Sequence, residues 1–158
     1  MPQAIVKPAN QVIAAGLPLI VEMEVGANAT AAKMLPGRVV IFDTTDQTVK
    51  ECGAKAVGEV GVLDVIATEL KTTAFAVGDQ APVIFGECIL VLTLLASENV
   101  SRGDPLVTAA DGKVAKQTVG AMGAQGKVIG YAWESSNVTT DASILVHWQP
   151  AAEPAAAS

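Results

Sequence analysis

Apolar and polar residues in this chain alternate in runs too short for helices. Leu19–Val25 sets Leu19, Val21, Met23 and Val25 against Ile20, Glu22 and Glu24, the period-two signature of a half-buried strand. Residues 38–42 form a compact β-branched run, and Thr44, Thr45, Asp46 and Gln47 supply turn chemistry before Thr48-Val49-Lys50. Residues 57–67 are apolar apart from Glu59 and Asp64. Gly58 and Gly61 inside that run predict a bulge or a close backbone approach. A turn at Gly78-Asp79 leads into a strand that breaks at Gly86-Glu87. Residues 88–95 form an apolar run interrupted only by Thr93, and their shortness and β-branched surroundings favour a strand over a buried helix. Asp111-Gly112 is the clearest hairpin signal. Residues 128–133 and 143–148 read as the last strands, with a turn over 137–141. One helical turn is expected at 96–99, and a loop or helical turn over 26–34.

Part of this pattern is said twice. Pro36-Gly37-Arg38-Val39-Val40-Ile41, then Asp46 to Val49, then Gly58 onward, is echoed by Arg102-Gly103-Asp104-Pro105-Leu106-Val107, Asp111 to Val114, and Gly126 onward. Gly37 falls on Gly103, Asp46 on Asp111, Val49 on Val114 and Val62-Leu63 on Val128-Ile129. The organisation expected is an N-terminal arm over residues 1–16, a β-rich domain over 17–149 with an internal repeat (36–66 and 102–132), and an Ala/Pro tail over 150–158. Many short strands with turns at regular spacing predict an all-β fold, a small barrel or sandwich with minimal helix.

Composition narrows the function. Hydrophobic residues make up 51% of the chain and aromatic ones only 4%, so Val, Ile, Leu and Ala must fill the core. The net charge is −6 and the cations are dispersed, which argues against a nucleic-acid partner. Cys52 and Cys88 lack metal-ligand spacing and suit small buried apolar positions. The first residues hold no basic stretch followed by a long apolar run, so no secretory leader is expected, and the greasiest segment is too short to span a membrane as a helix. A soluble protein made in the cytoplasm is expected.

Candidate chemistry is sparse. Arg102-Gly103-Asp104 matches an adhesion tripeptide, yet Gly78-Asp79 recurs in the same place before a strand, so turn chemistry accounts for both. Asn28, Asn99 and Asn137 each begin a glycosylation pattern, which needs a secretory route to matter. Cys88 and His147 are the conceivable nucleophile and base, but strand alternation sets His147 opposite Ile144, Val146 and Trp148. Glu22 and Glu24 share a strand face and read as a solvated surface. The glycine-rich residues 120–126 lack the Lys-Ser/Thr ending of a phosphate loop. No catalytic, cofactor-binding or metal-binding residues are assigned, and no enzymatic activity is expected.

Residues 77–83, 89–95, 100–108, 111–114 and 128–132 together resemble the capsid decoration (cement) proteins of tailed bacteriophages. The shared pattern is a Gly-Asp turn (Gly78-Asp79), a strand, a second Gly-Asp turn (Gly103-Asp104), the Asp111-Gly112 hairpin and the strand phrase Val128-Ile129-Gly130-Tyr131-Ala132. The resemblance implies a small β-barrel or β-tulip-like fold and a homotrimer on the outer face of an icosahedral head. It also implies the major capsid protein as partner, a place on the virion exterior and no catalysis. The capsid contact is expected in the arm, at Ile5, Val6, Val12 and Ile13, whose apolar side chains call for cover and whose backbone is free to add a strand to a capsid edge. The alternative is a receptor-binding module of a head or tail fibre.

Overall fold

The computed structural model describes residues 12–15, 19–56, 58, 60–64, 73–118 and 126–150, the first of these segments as a strand only. Among these described residues, thirteen strands and two single 3-10 turns, Ala31–Lys33 and Ala110–Gly112, make up the regular structure. The expected all-β fold with almost no helix is what forms. It consists of two small barrels, each of five strands.

The first barrel contains β2 (Leu19–Val25), β3 (Val39–Phe42), β4 (Thr48–Glu51), β5 (Val60–Leu63) and β6 (Gln80–Phe85) in the closed order β2-β4-β3-β5-β6. β1 (Val12–Ala15) lies outside it. The second contains β7 (Cys88–Leu94), β9 (Pro105–Thr108), β10 (Val114–Lys116), β11 (Gly130–Ala132) and β13 (Ala142–Trp148), closed by the β7–β13 pairing. β8 (Asn99–Val100) and β12 (Ser136–Asn137) form a small ribbon. The turn expected at 96–99 is not helical: Ser97 takes φ 64° and Asn99 already begins β8.

The two barrels have one topology. In each, a long strand runs parallel to the third member in chain order (β2–β4 and β7–β10) and every other pairing is antiparallel. Hydrogen bonds repeat with it. Gly37 N donates to Leu63 O at 2.9 Å and Gly103 N to Ala132 O at 2.8 Å, while Gly26 N reaches Val49 O as Leu95 N reaches Val114 O. The duplication therefore extends beyond the repeated phrase to residues 19–85 and 88–148. Val49 does match Val114. In the last shared strand, however, Gly61 stands opposite Val40 as Gly130 stands opposite Leu106, so Val62 corresponds to Tyr131 and not to Val128. The space explains the placement. A Cβ on Gly61 would meet Val83 Cγ1 at 2.5 Å and Phe85 Cε1 at 2.9 Å, and one on Gly130 would strike the carbonyl of His147.

Strand alternation sorts the core into two clusters. Met23, Val25, Val40, Val49, Leu63, Ala81 and Val83 point into the first barrel, joined by Met34 and Phe75. The residues between them, Val39, Val60, Val62 and Ile84, point outward and belong to the other cluster, with Cys88, Leu90, Leu92, Leu106, Val114, Val146 and Trp148 of the second barrel. One flank of the first barrel is thus buried against the second. That is why β5 is covered on both faces and reads as a continuous apolar run.

Polar bonds hold the seam. Thr108 accepts from Lys55 N and, through its hydroxyl, from Ala56 N, both at 2.8 Å. Gly112 N donates to Cys52 O at 2.8 Å and Arg38 Nη1 to Asp111 O at 2.7 Å. Gly112 sits at φ 70° with Val39 O only 2.6 Å from where a Cβ would be, so no other residue fits this joint.

Gly130→Ala forces the β13 backbone aside, whereas Gly61→Ala asks only side chains to move. We expect Gly130→Ala to cost about 1–3 kcal/mol and Gly61→Ala clearly less, read from urea unfolding midpoints of the two variants beside wild type.

Candidate interaction surfaces

The structure brings no nucleophile and base together among the residues proposed for them. Cys88 lies opposite Trp148 and His147 opposite Ile89, so the thiol and the imidazole stand on opposite faces of the sheet. Burial pushes the thiols of Cys88 and Cys52 up to about 11, which leaves both protonated and poorly nucleophilic at neutral pH. His147 instead pairs through Nε2 with Glu87 Oε1 at 2.8 Å on the outer surface. Among the described residues no group of His, Cys, Asp and Glu is arranged to hold a metal ion, and no helix is long and apolar enough to cross a membrane.

The Gly-Asp turns behave as local structure. Asp79 Oδ2 accepts from Ala76 N and Asp104 Oδ2 from Ser101 N, each at 2.8 Å, with Gly78 and Gly103 at φ 88° and 91°. Asp104 also meets Lys116 Nζ at 2.7 Å, and this hydrogen bond to Lys116 holds its carboxyl below the usual carboxylate range. Arg102 is turned over the Trp133 ring, its guanidinium carbon 5.6 Å from the centroid. Both charged members of the adhesion-like tripeptide are therefore engaged within the chain.

Of the expected capsid contacts, Ile5 and Val6 lie outside the described residues. Val12 and Ile13 fall in β1, which pairs antiparallel with β7, Val12 opposite Leu90 and Ala15 opposite Cys88. The β7 side of this segment, expected to be free for strand addition, is thus already paired within the chain, because β10 meets β7 only at Leu94 and leaves the first half of that strand open.

Two exposed apolar patches stand out instead. The first is one mouth of the first barrel. Leu19 and Val21 on β2 and Phe42 at the end of β3 face inward by alternation yet are 60%, 38% and 49% exposed. Phe42 stacks on Phe85, ring centroids 6.2 Å apart, and Leu19 stands opposite Phe85. The hairpin beside Phe42 is held by Asp43, which accepts from the Asn28 side chain at 2.8 Å and the Asn28 backbone at 3.1 Å and lies 3.5 Å from Lys50 Nζ. The Asn28 hydrogen bonds, chiefly, bring the Asp43 carboxyl down to about 2.

The second patch is the outer flank of the second barrel. Tyr131 and Trp133 are exposed, Tyr131 stands opposite both His147 and Pro105, and Trp133 meets His147 edge-on at 6.2 Å. With Arg102 this gathers the side chains that dominate protein contacts. The signal for it was present in the alternation Gly130-Tyr131-Ala132-Trp133, whose small members face in and aromatic members face out.

No family model matches the chain, and no curated protein matches it. Among solved structures it is similar to the head fiber gp8.5 N base of bacteriophage phi29, with 14% identity over 82% of this chain and 94% of that one and a TM-score of 0.49.

Because Asp43 titrates lower in the folded chain than the usual value of about 4, its stabilising contribution is complete above that value and is lost as pH falls toward about 2. Urea midpoints measured from pH 6 to pH 2 should fall through this window, and Asp43→Ala should lower the midpoint at pH 6 and flatten the fall.

Proposed function

We propose that the chain is a structural protein of a tailed-phage head, a decoration protein that binds the outer surface of the assembled shell and stabilises its lattice, as a homotrimer. The observation that carries the reading is where the motif residues lie. The stretches that resemble cement proteins form β6, β7, β9, β10 and β11 and the turns between them, and the exposed side chains of the chain include apolar and aromatic ones suited to holding other proteins.

The physics of such a role is mass action. A protein that binds only the assembled lattice stabilises it by the free energy of binding. Many identical copies add, so each contact can be modest. A trimer matches local three-fold positions and engages three arms at once, raising avidity without new chemistry. The major capsid protein is the partner, with no catalysis, cofactor, nucleic acid or membrane involved. Since β1 anchors the root of the arm on β7, the capsid contact is assigned to the residues before it, Ile5 and Val6.

A receptor-binding role on a head or tail fibre is the second reading, favoured by the Tyr131, Trp133 and Arg102 patch, whose aromatic rings suit a ligand surface.

Deleting residues 2–11 leaves β1 in place and should abolish co-sedimentation with empty expanded heads while leaving the thermal midpoint unchanged; undiminished binding refutes the arm contact. A glycan array that lights up with wild type and goes dark with Trp133→Ala would favour the fibre reading instead.

A further inference from the structure

The duplication compares each barrel with its copy, and the comparison is lopsided in two places. Leu19, Val21 and Phe42 at the open mouth of the first barrel correspond by pairing to Cys88, Leu90 and Thr108 of the second. There the same positions are closed, with exposures of 2%, 0% and 1%. What closes them is the flank of the first barrel: Val39, Val60, Val62 and Ile84 share a cluster with Cys88, Leu90 and Trp148, and Lys55 and Ala56 bond Thr108.

That flank also has a copy. Val39, Val62 and Ile84, all fully buried, correspond to Pro105, Tyr131 and His147 of the second barrel, of which Tyr131 is 43% exposed and the other two half-buried. Ile129, the counterpart of Val60, is already buried. The chain thus uses one mouth and one flank on itself and leaves an equivalent mouth and an equivalent flank open.

We propose that a second copy of this chain fills them: the Tyr131, Trp133 and His147 flank of one copy caps the Leu19, Val21, Phe42 and Phe85 mouth of the next. The contact inside the chain is the template for the contact between chains. Such a joint is head-to-tail, so it closes into a ring or extends. Aromatic side chains on both partners supply anchors of the usual kind. The proposal deepens the trimer in the reading above by naming the contact, and rests on it only for the expectation that copies associate. Its test needs no capsid, so it can fail while head binding stands, or the reverse.

Phe42 and Tyr131 are both exposed, so Phe42→Asp and Tyr131→Asp should fold with wild-type circular dichroism. Wild type should assemble at micromolar concentration by sedimentation equilibrium. Each variant alone should dissociate at a concentration at least about tenfold higher, as for loss of an interface anchor. Mixing the two variants should produce a two-chain species and nothing larger, because the intact flank of Phe42→Asp meets the intact mouth of Tyr131→Asp while the broken surfaces stop growth. Monomeric wild type at high concentration, a single variant that assembles like wild type, or a mixture that stays monomeric would each overturn the proposal. Val21→Asp with Trp133→Glu repeats the mixing at neighbouring positions and should give the same two-chain species.

Discussion

The seating of one barrel's flank in the other barrel's mouth is the contact on which this molecule depends. A barrel of five short strands encloses little apolar volume, and a unit of this size alone is marginal. Val39, Val60, Val62 and Ile84 change that by being core residues of a barrel to which they do not belong. Each does two jobs: its backbone completes the sheet of the first barrel, and its side chain fills the end of the second. Because the same strands carry Val40, Leu63 and Val83 on their other face, loosening the joint disturbs both cores together. The chain should therefore unfold as one cooperative unit.

The joint also shows how specificity can come from turns. Thr108, Asp111 and Gly112 form the tip of the β9–β10 hairpin, and Val39 O leaves no room there for a side chain at Gly112. Arg38 and Lys33 meet Asp111 from the first barrel, through its carbonyl at 2.7 Å and its carboxylate at 2.6 Å. The corresponding hairpin of the first barrel is tied inward to Asn28 through Asp43. Equivalent loops have been given different tasks, one gripping a neighbour and the other shaping an open rim. Divergence after duplication is concentrated where the copies stopped having the same surroundings.

How much of this was legible in the sequence follows from which forces are local. Alternation in β2, the Asp111-Gly112 hairpin and the two Gly-Asp turns depend on residues within a few positions of one another, and all were readable. The register of β5 against β11 was not. It turns on Gly61 and Gly130 making room for Phe85 and the β13 backbone, a contact between distant parts of the chain, while Gly58 and Gly126 offered an equally good local match. Exposure was hidden for the same reason. Leu19 and Val21 carry the pattern of inward residues and do face inward, but whether a mouth is closed is decided by a neighbour. Trp133 and Tyr131 were seen as strand residues, and only their position on an uncovered flank makes them a surface.

The linker explains why the internal contact and an external one can coexist. Phe85 ends β6 and Cys88 begins β7, so only Gly86 and Glu87, with Gly86 at φ 85°, join the barrels. A tether that short gives the flank of the first barrel a very high effective concentration at the mouth of the second, and no free copy competes with it. Among the described residues, the mouth of the first barrel has no flank of its own chain tethered to it in this way. Its partner must arrive from solution or from an array that supplies neighbours at fixed spacing. A lattice of identical sites would do for the open mouth what the short linker does for the closed one, so weak self-contact in solution and firm contact on a shell are the same interaction at two effective concentrations.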